Sequence, residues 1–397
     1  MSTLLLHIEE PRPKPVQGFA LWQLGFRPFY LLASSFAALS VLLWALQFGG
    51  WLGRPYLAGP MWHAHEMLFG YGLAVVVGFL FTAGRNWSGQ ATPTGLPLAL
   101  LALLWLAGRV LVLTPWGWAA ALVNAAFPIA AAIGLAVPLV KARNRRNYFF
   151  VGLLVAMGVA QFALHLAQLG VLTLPGWVGV QLGLDMMLFI MAVMGGRVIP
   201  MFTNNGVPGV QARRQETLER FALGAVLAIL LADLAGLRGP GMAGLLALAA
   251  AMHGARLALW QPWRTLRTPL VWVLHAAYAF IVLHLVLRAL AEAGAVLPSA
   301  ATHALTAGAI GVMTLGMMTR TARGHTARPL RADRFDLAAY LCVLAAALVR
   351  VAVPLLAPQF TVGASIFAGW LWACGFALYT IRYAPMLLRP RLDGKPG

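Results

Sequence analysis

Residues 118–140 read WAAALVNAAFPIAAAIGLAVPLV, and residues 141–146 read KARNRR. The first stretch holds no charge and is long enough to cross about 30 Å of hydrocarbon as a helix. It does not alternate apolar and polar residues, so it is not a barrel strand. The second stretch is a block of cations, the kind that stays on the cytoplasmic side. The same pairing of an apolar run with a short charged loop recurs along all 397 residues. Apolar runs fall at 30–50, 63–83, 96–113, 118–140, 148–170, 177–200, 217–236, 240–260, 269–291, 301–319, 335–356 and 362–386. The expected fold is therefore all-α: a polytopic membrane protein of about twelve transmembrane helices. Residues 1–29 form an N-terminal segment, 30–388 one membrane domain and 389–397 a tail.

Composition agrees, since 61% of the residues are hydrophobic and only 10% charged. A soluble domain carries about 25% charged residues. In lipid every backbone polar group must bond internally, which leaves helices or closed barrels. The net charge of +18 would suggest a nucleic-acid partner in a soluble protein. Here the cations sit in short loops between apolar runs, so they set topology and no nucleic acid is expected. Arg12, Lys14, Arg27, Arg85, Lys141, Arg143, Arg145, Arg146, Arg213, Arg214, Arg264 and Arg267 fall on one side. Arg320, Arg323, Arg328, Arg331, Arg334, Arg389, Arg391 and Lys395 join them, while only Arg54 and Arg238 fall on the other. Positive loops stay inside, which predicts two cytoplasmic termini. Trp51, Trp62, Trp116, Trp118 and Trp177 are placed for an interfacial belt at the outer side.

Glu9, Glu10 and several prolines in the leading segment argue against a cleavable signal peptide. Cys342 and Cys374 are the two cysteines. They form neither CxxC nor CxxCH, which argues against a disulfide scaffold, a thiolate zinc site and covalent c-type haem.

Five of the nine histidines fall in the outer half. His63 and His65 open the second span and His303 the tenth. With a rise of ~1.5 Å per residue, His165 lies ~26 Å and His284 ~22 Å from the cytoplasmic face. His253 and His275 lie nearer that face, His325 in a basic loop and His7 in the leading segment. A buried imidazole needs either a hydrogen-bond partner or a metal. A lone case is an ordinary interhelical bond, whereas five at one depth point to haem iron or copper. His63 and His65 are about 200° apart around a helix. Either His63 lies on the loop or the two serve different partners. Glu66 is placed to accept from His65.

Asp185 and Arg197 lie inside the sixth span. A charge at mid-membrane costs about 2.5–3.5 kcal/mol on insertion scales, so it should face inward and be paired. Arg109, Arg288 and Arg350 lie toward outer span ends. There they either bind haem propionates bidentately or snorkel to headgroups. The second, sixth and tenth spans each carry a polar residue toward the outer end (His65, Asp185, His303) and have Gly and Thr near the exit. That repeat suggests three four-helix units.

Four stretches, GFRPFYLLA at 25–33, WHAHEMLFGYG at 62–72, GRVIPMFTNNG at 196–206 and HALTAGAIGVMTLGMMTRTARGHT at 303–326, resemble the NnrS family. The resemblance covers nearly the whole chain, and its motifs are long and irregular. It implies a membrane protein with haem and copper that accompanies nitric-oxide metabolism and relieves nitrosative stress. The expected location is a bacterial inner membrane. Non-covalent, b-type haem is the expected cofactor, with copper beside it. The motif histidines His63, His65 and His303 are the implied ligands, and His325 marks a motif's cytoplasmic end. His165 and His284 are added by depth, and Arg109, Arg197 and Arg288 as further cofactor contacts. Nitric oxide or a related small molecule is the implied ligand, with quinol or a donor protein as the electron source.

The three-unit pattern also resembles the catalytic subunit of haem–copper oxidases, where spans two and ten carry haem ligands. This chain departs from it: span six offers Asp185 and span seven has no histidine. Turnover of nitric oxide at haem and protection without net catalysis both fit. A secondary transporter and an assembly factor for respiratory enzymes are the other classes.

Overall fold

The computed structural model describes residues 18–48, 50–53 and 55–395. His7, Glu9, Glu10, Arg12, Lys14 and Arg54 lie outside them. Among the described residues there are twelve long helices and no strand. In chain order, α1 is Phe26–Phe48, α2 Gly59–Ser88, α3 Gly95–Leu111 and α4 Gly117–Lys141. Next come α5 Tyr148–Gln168, α6 Trp177–Gly206, α7 Glu216–Leu234 and α8 Pro240–Leu259. The last four are α9 Pro269–Glu292, α10 Pro298–His325, α11 Arg334–Leu356 and α12 Thr361–Leu388.

Ten of the twelve are long and apolar enough to cross a membrane. The other two differ for physical reasons. α3 has 17 residues, short of the ~20 that span a bilayer upright. α7 carries Glu216, Glu219, Arg220 and Asp233. Two of these charges are neutralised inside the protein: Glu219 by Arg256 of α8 and Asp233 by Arg288 of α9. The protein is a polytopic α-helical membrane protein.

Helix packing recurs every four helices. α4 packs on α5, α8 on α9 and α12 on α1. α1 packs on α2, α5 on α6 and α9 on α10; α3 packs on α4, α7 on α8 and α11 on α12. This is the pattern that three four-helix units in a ring would make. α2, α6 and α10 are the most enclosed of the membrane-length spans, and α2 touches both α6 and α10. α2 and α10 also share a defect absent from the sequence reading. Each widens into a π-helical segment, Glu66–Gly72 in α2 and Ala304–Gly311 in α10. Each begins directly after a histidine, His65 or His303. The Tyr71 and Thr314 hydroxyls join the two helices by a short hydrogen bond.

Two expectations need correction. Trp51, Trp116, Trp118 and Trp177 are exposed, but Trp62 is fully buried and packs with Leu57, Val112 and Ala120. Its position one residue before His63 places it inward, so it is not part of a belt. Arg27 is no loop charge either. α1 begins at Phe26, and the Arg27 guanidinium is buried, donating to the carbonyls of Leu387 (3.0 Å) and Arg389 (2.7 Å). A cation there satisfies the orphan carbonyls at the end of α12 and its dipole. At the same end Asp333 caps α11, accepting from the Phe335 and Asp336 amides. Burial raises its carboxyl pKa, but hydrogen bonds from Arg382 and the Asp336 amide, with the charges of Arg382 and Arg323, outweigh that and hold it below the usual range.

Gly179 of α6 lies against α5, where a Cβ would meet the Ala160 carbonyl oxygen at 2.6 Å. Backbone cannot swing aside, so Gly179→Ala should destabilise by about 1–3 kcal/mol. Gly224, on α7, has nothing within 4 Å of an added Cβ, and Gly224→Ala should leave stability unchanged. Thermal unfolding in detergent compares them; equal midpoints would contradict this close α5–α6 contact.

Candidate functional site

The end of the bundle that carries the arginine loops is the basic end. At the opposite end, α2 starts at Gly59 with Pro60 in its first turn, where a missing amide costs nothing. His63 and His65 are both helical and therefore point to different partners.

His65 turns toward α3, α4 and α5 and is fully buried. Its Nδ1 lies 2.7 Å from Glu66 Oε1. The other Glu66 oxygen is ion-paired with Arg109 Nε of α3 at 2.8 Å. Arg109 also donates to Asn124 Oδ1 of α4 through a short bond, and its guanidinium lies over Trp105. Asn124 in turn donates to the Ala120 carbonyl at 2.8 Å. Gln161 of α5 places Nε2 3.1 Å from His65 Nε2 and 3.3 Å from Asn124 Oδ1. One turn on, His165 meets His65 edge to face, with centroids 4.9 Å apart and planes at 71°. Tyr56, in the segment before α2, stacks on His165 and places its hydroxyl 3.1 Å from the His165 carbonyl and 3.2 Å from Nδ1. Burial pushes the Tyr56 phenol up to about 12, so it keeps its proton.

His63 turns the other way. It stacks on Trp44 of α1, with centroids 4.4 Å apart. It lies within electrostatic reach of His303 of α10 and of Arg350 of α11. His303 is half-buried and donates from Nδ1 to the Ser299 carbonyl at 2.7 Å.

A third cluster holds Asp185 and His284. Arg288 of α9 bridges Asp185 (3.1 Å) and Asp233 (2.6 and 2.5 Å), and Gln181 donates to Asp185 at 2.9 Å. His284 donates from Nδ1 to the Ala301 carbonyl at 2.8 Å. Its Nε2 and Asp185 Oδ2 are buried without a partner. Arg109 and Arg288 are thus buried and paired with carboxylates, and neither reaches for headgroups. Arg197 is elsewhere: it donates to Asn147 Oδ1 at 2.9 Å and lies over Trp87, Phe149 and Phe150 near the basic end.

The ring nitrogens separate the two halves. In the basic half, His253 is engaged at both, by Tyr278 (2.7 Å) and the Ala222 carbonyl (3.2 Å). His275 is also engaged at both, by the Val271 carbonyl and Thr203. His253 belongs to a closed network in which Arg256 holds Glu219 with two 2.9 Å bonds and also donates to Tyr278. In the opposite half, Nδ1 of His65, His284 and His303 faces a carboxylate or carbonyl that can only accept. That fixes the proton on Nδ1 and leaves a lone pair on Nε2, the tautomer a metal ligand needs; in His65 that lone pair accepts from the Gln161 amide, whereas in His284 it is buried without a partner. His165 Nε2 is fully buried with no partner. Among the described residues, no three His, Cys, Asp or Glu side chains converge on a metal-sized point.

The sequence reading missed Tyr56, Asn124, Gln161, Asp233, Glu219 and Arg256. Gln161 had a signal, because Gln161 and His165 are four apart and share one helix face. Asn124 stands alone in an apolar run, which also marks an inward-facing position.

Glu66→Ala leaves Arg109 buried and without its carboxylate, and should cost about 3–5 kcal/mol. Pairing Glu66→Leu with Arg109→Met should recover most of that loss. Unfolding midpoints in detergent test this; a double variant no more stable than Glu66→Ala would contradict the pairing.

A search of curated proteins returns no match. The sequence model described as NnrS protein matches residues 20–391, nearly the whole chain, including both π-bearing helices and every histidine but His7: the chain belongs to the NnrS family.

Proposed function

We propose that the protein binds haem in the half opposite its basic loops and serves the cell's response to nitric oxide and nitrosative stress. Family membership supports the physiological part. The histidines carry the cofactor part: His253 and His275 of the basic half are satisfied at both ring nitrogens, while His165 and His284 opposite them each bury an Nε2 without a partner. With the basic loops inside, that half is the outer half of a bacterial inner membrane, and both termini are cytoplasmic.

His63 and His303 suit haem best. They project from α2 and α10, the two π-bearing helices, and both lie near Arg350. Arg350 has no carboxylate partner among the described residues and is half-buried, which suits a haem propionate. Arg109 and Arg288 are already committed to Glu66, Asp185 and Asp233. Haem, when bound, supplies an iron that takes nitric oxide and exchanges one electron. The protein's part is to hold the histidines. Ser299 fixes the His303 tautomer, Trp44 fixes the plane of His63, and the buried surroundings exclude water. Quinol or a donor protein would supply electrons from the membrane.

The purified protein should show a Soret band that shifts with nitric oxide. His63→Ala and His303→Ala should each remove most of it, and His253→Ala should not. A colourless, iron-free wild type would overturn the reading in favour of transport. A nitrosyl spectrum without turnover would assign protection or sensing rather than catalysis.

A further inference from the structure

We propose that Asp185 and Asp233 form a proton-binding site: Asp185 holds one proton in a hydrogen bond to Asp233 and exchanges it with water at the end opposite the basic loops. The site needs no haem and stands apart from the reading above. Its two carboxyl groups meet on one guanidinium. Arg288 of α9 reaches Asp185 Oδ1 of α6 with Nη1 (3.1 Å) and both oxygens of Asp233 of α7 with Nη2 (2.6 and 2.5 Å). These two nitrogens share one carbon, so the carboxyl groups sit side by side, within hydrogen-bonding reach of each other. Two carboxyl groups in contact do not both ionise; the pair keeps a proton. The charges agree. Glu66 and Glu219 each have a buried arginine of their own. Asp185 and Asp233 share Arg288, all three side chains being buried. Half-exposed Arg238 pairs with Asp233 alone, at 2.6 Å. One proton brings the buried trio to zero; without it a negative charge is left over where lipid cannot solvate it.

The hydrogen bonds say which residue holds the proton. Asp185 Oδ1 accepts from Arg288 and, at 2.9 Å, from Gln181, as the carbonyl oxygen of an acid does. Asp185 Oδ2 is buried and receives no donor. An orphan oxygen beside an acceptor is satisfied when it carries a proton and donates it. Asp233 instead accepts from two arginines, the surroundings of a carboxylate. Other titratable groups near the pair do not bond to it. His284 of α9 turns Nδ1 to the Ala301 carbonyl, and its Nε2 bonds to nothing. Glu292, at the end of α9, accepts from the Gly239 amide at 2.9 Å. α2 and α5 also pack on α6, but their His65, Glu66 and His165 belong to the network around Arg109. Arg238, in the turn between α7 and α8, marks the way in, one bond from Asp233. A proton from water there binds Asp233 and moves to Asp185 Oδ2 along the shared bond, which restores the Asp233 carboxylate. Release runs in reverse, and it leaves two carboxylates facing each other on one arginine. The junction of α6, α7 and α9 therefore depends on the bound proton.

Infrared spectroscopy of the full-length protein in detergent tests this, because a protonated carboxyl absorbs apart from carboxylates and shifts to lower frequency in D2O. Wild type near neutral pH should show such a band, shift it in D2O and lose it as the solution is made alkaline. Asp185→Asn keeps the shape of the acid and its donor, so it should unfold at the wild-type temperature and lack the band. Asp233→Asn should also lack it, because Asp185 then ionises to balance Arg288. The double variant leaves Arg288 buried without a carboxylate and should unfold at a lower temperature than either single variant. A wild type without the band, or an Asp185→Asn protein that keeps it at full height, would overturn the site. A double variant as stable as wild type would overturn the charge balance on Arg288 that builds it. A band that does not shift in D2O would show a sealed proton and overturn the exchange.

Discussion

The ion pair between Glu66 and Arg109 can exist only because the protein supplies what water would. A carboxylate and a guanidinium in a hydrocarbon slab need each other and further hydrogen bonds. Arg109 has Asn124 and the face of Trp105; Glu66 has His65. Each partner is fixed by its own neighbours, so one demand organises residues from α2, α3, α4 and α5. The same logic recurs around the ring. Arg288 binds Asp185 and Asp233 between α6, α7 and α9. Arg256 binds Glu219 between α7 and α8, and Arg323 binds Asp333 and Asp336 beside α11. Lipid contributes no specificity between helices, so these pairs and close backbone contacts such as Gly179 on Ala160 decide who packs on whom.

The fold was largely legible because its signals are one-dimensional. An apolar run of a given length and a cation in a given loop need no tertiary information. Asp185 and Glu66 were recognisable as groups needing partners, since a charge in a span cannot be left alone. Their partners were not recognisable. Arg288 could pair with a haem propionate, a headgroup or a carboxylate by sequence alone, and Asp233 sat unnoticed at the end of α7. Trp62 and Trp51 look alike in sequence, yet one is core and the other lines the edge. The difference is angular position at the start of α2, which depends on where that helix begins.

The histidine doublet shows the same limit. The spacing of His63 and His65 said that they diverge, but not toward what. The structure sends His65 into a polar network between units and His63 toward Trp44, α10 and α11. Depth along the membrane normal grouped five histidines that the lateral packing then divides into three neighbourhoods. The four-span spacing of His65, Asp185 and His303 in the sequence reappears as a four-helix period in the packing. In the middle unit the buried polar cluster is built on Asp185, Asp233 and Arg288.

The π segments bear on how such a site can change. A π segment is an α-helix carrying one residue too many, absorbed by widening a single turn. In α2 and α10 that surplus lies just inside His65 and His303. It acts as a rotary joint between the two halves of each helix. Removing one residue there would turn everything on the far side by about 100° while the arginine-bearing half kept its register. The histidine-bearing ends are thus geared separately from the scaffold. One-residue insertions or deletions within Glu66–Gly72 or Ala304–Gly311 could re-aim a histidine without rebuilding the bundle that carries it.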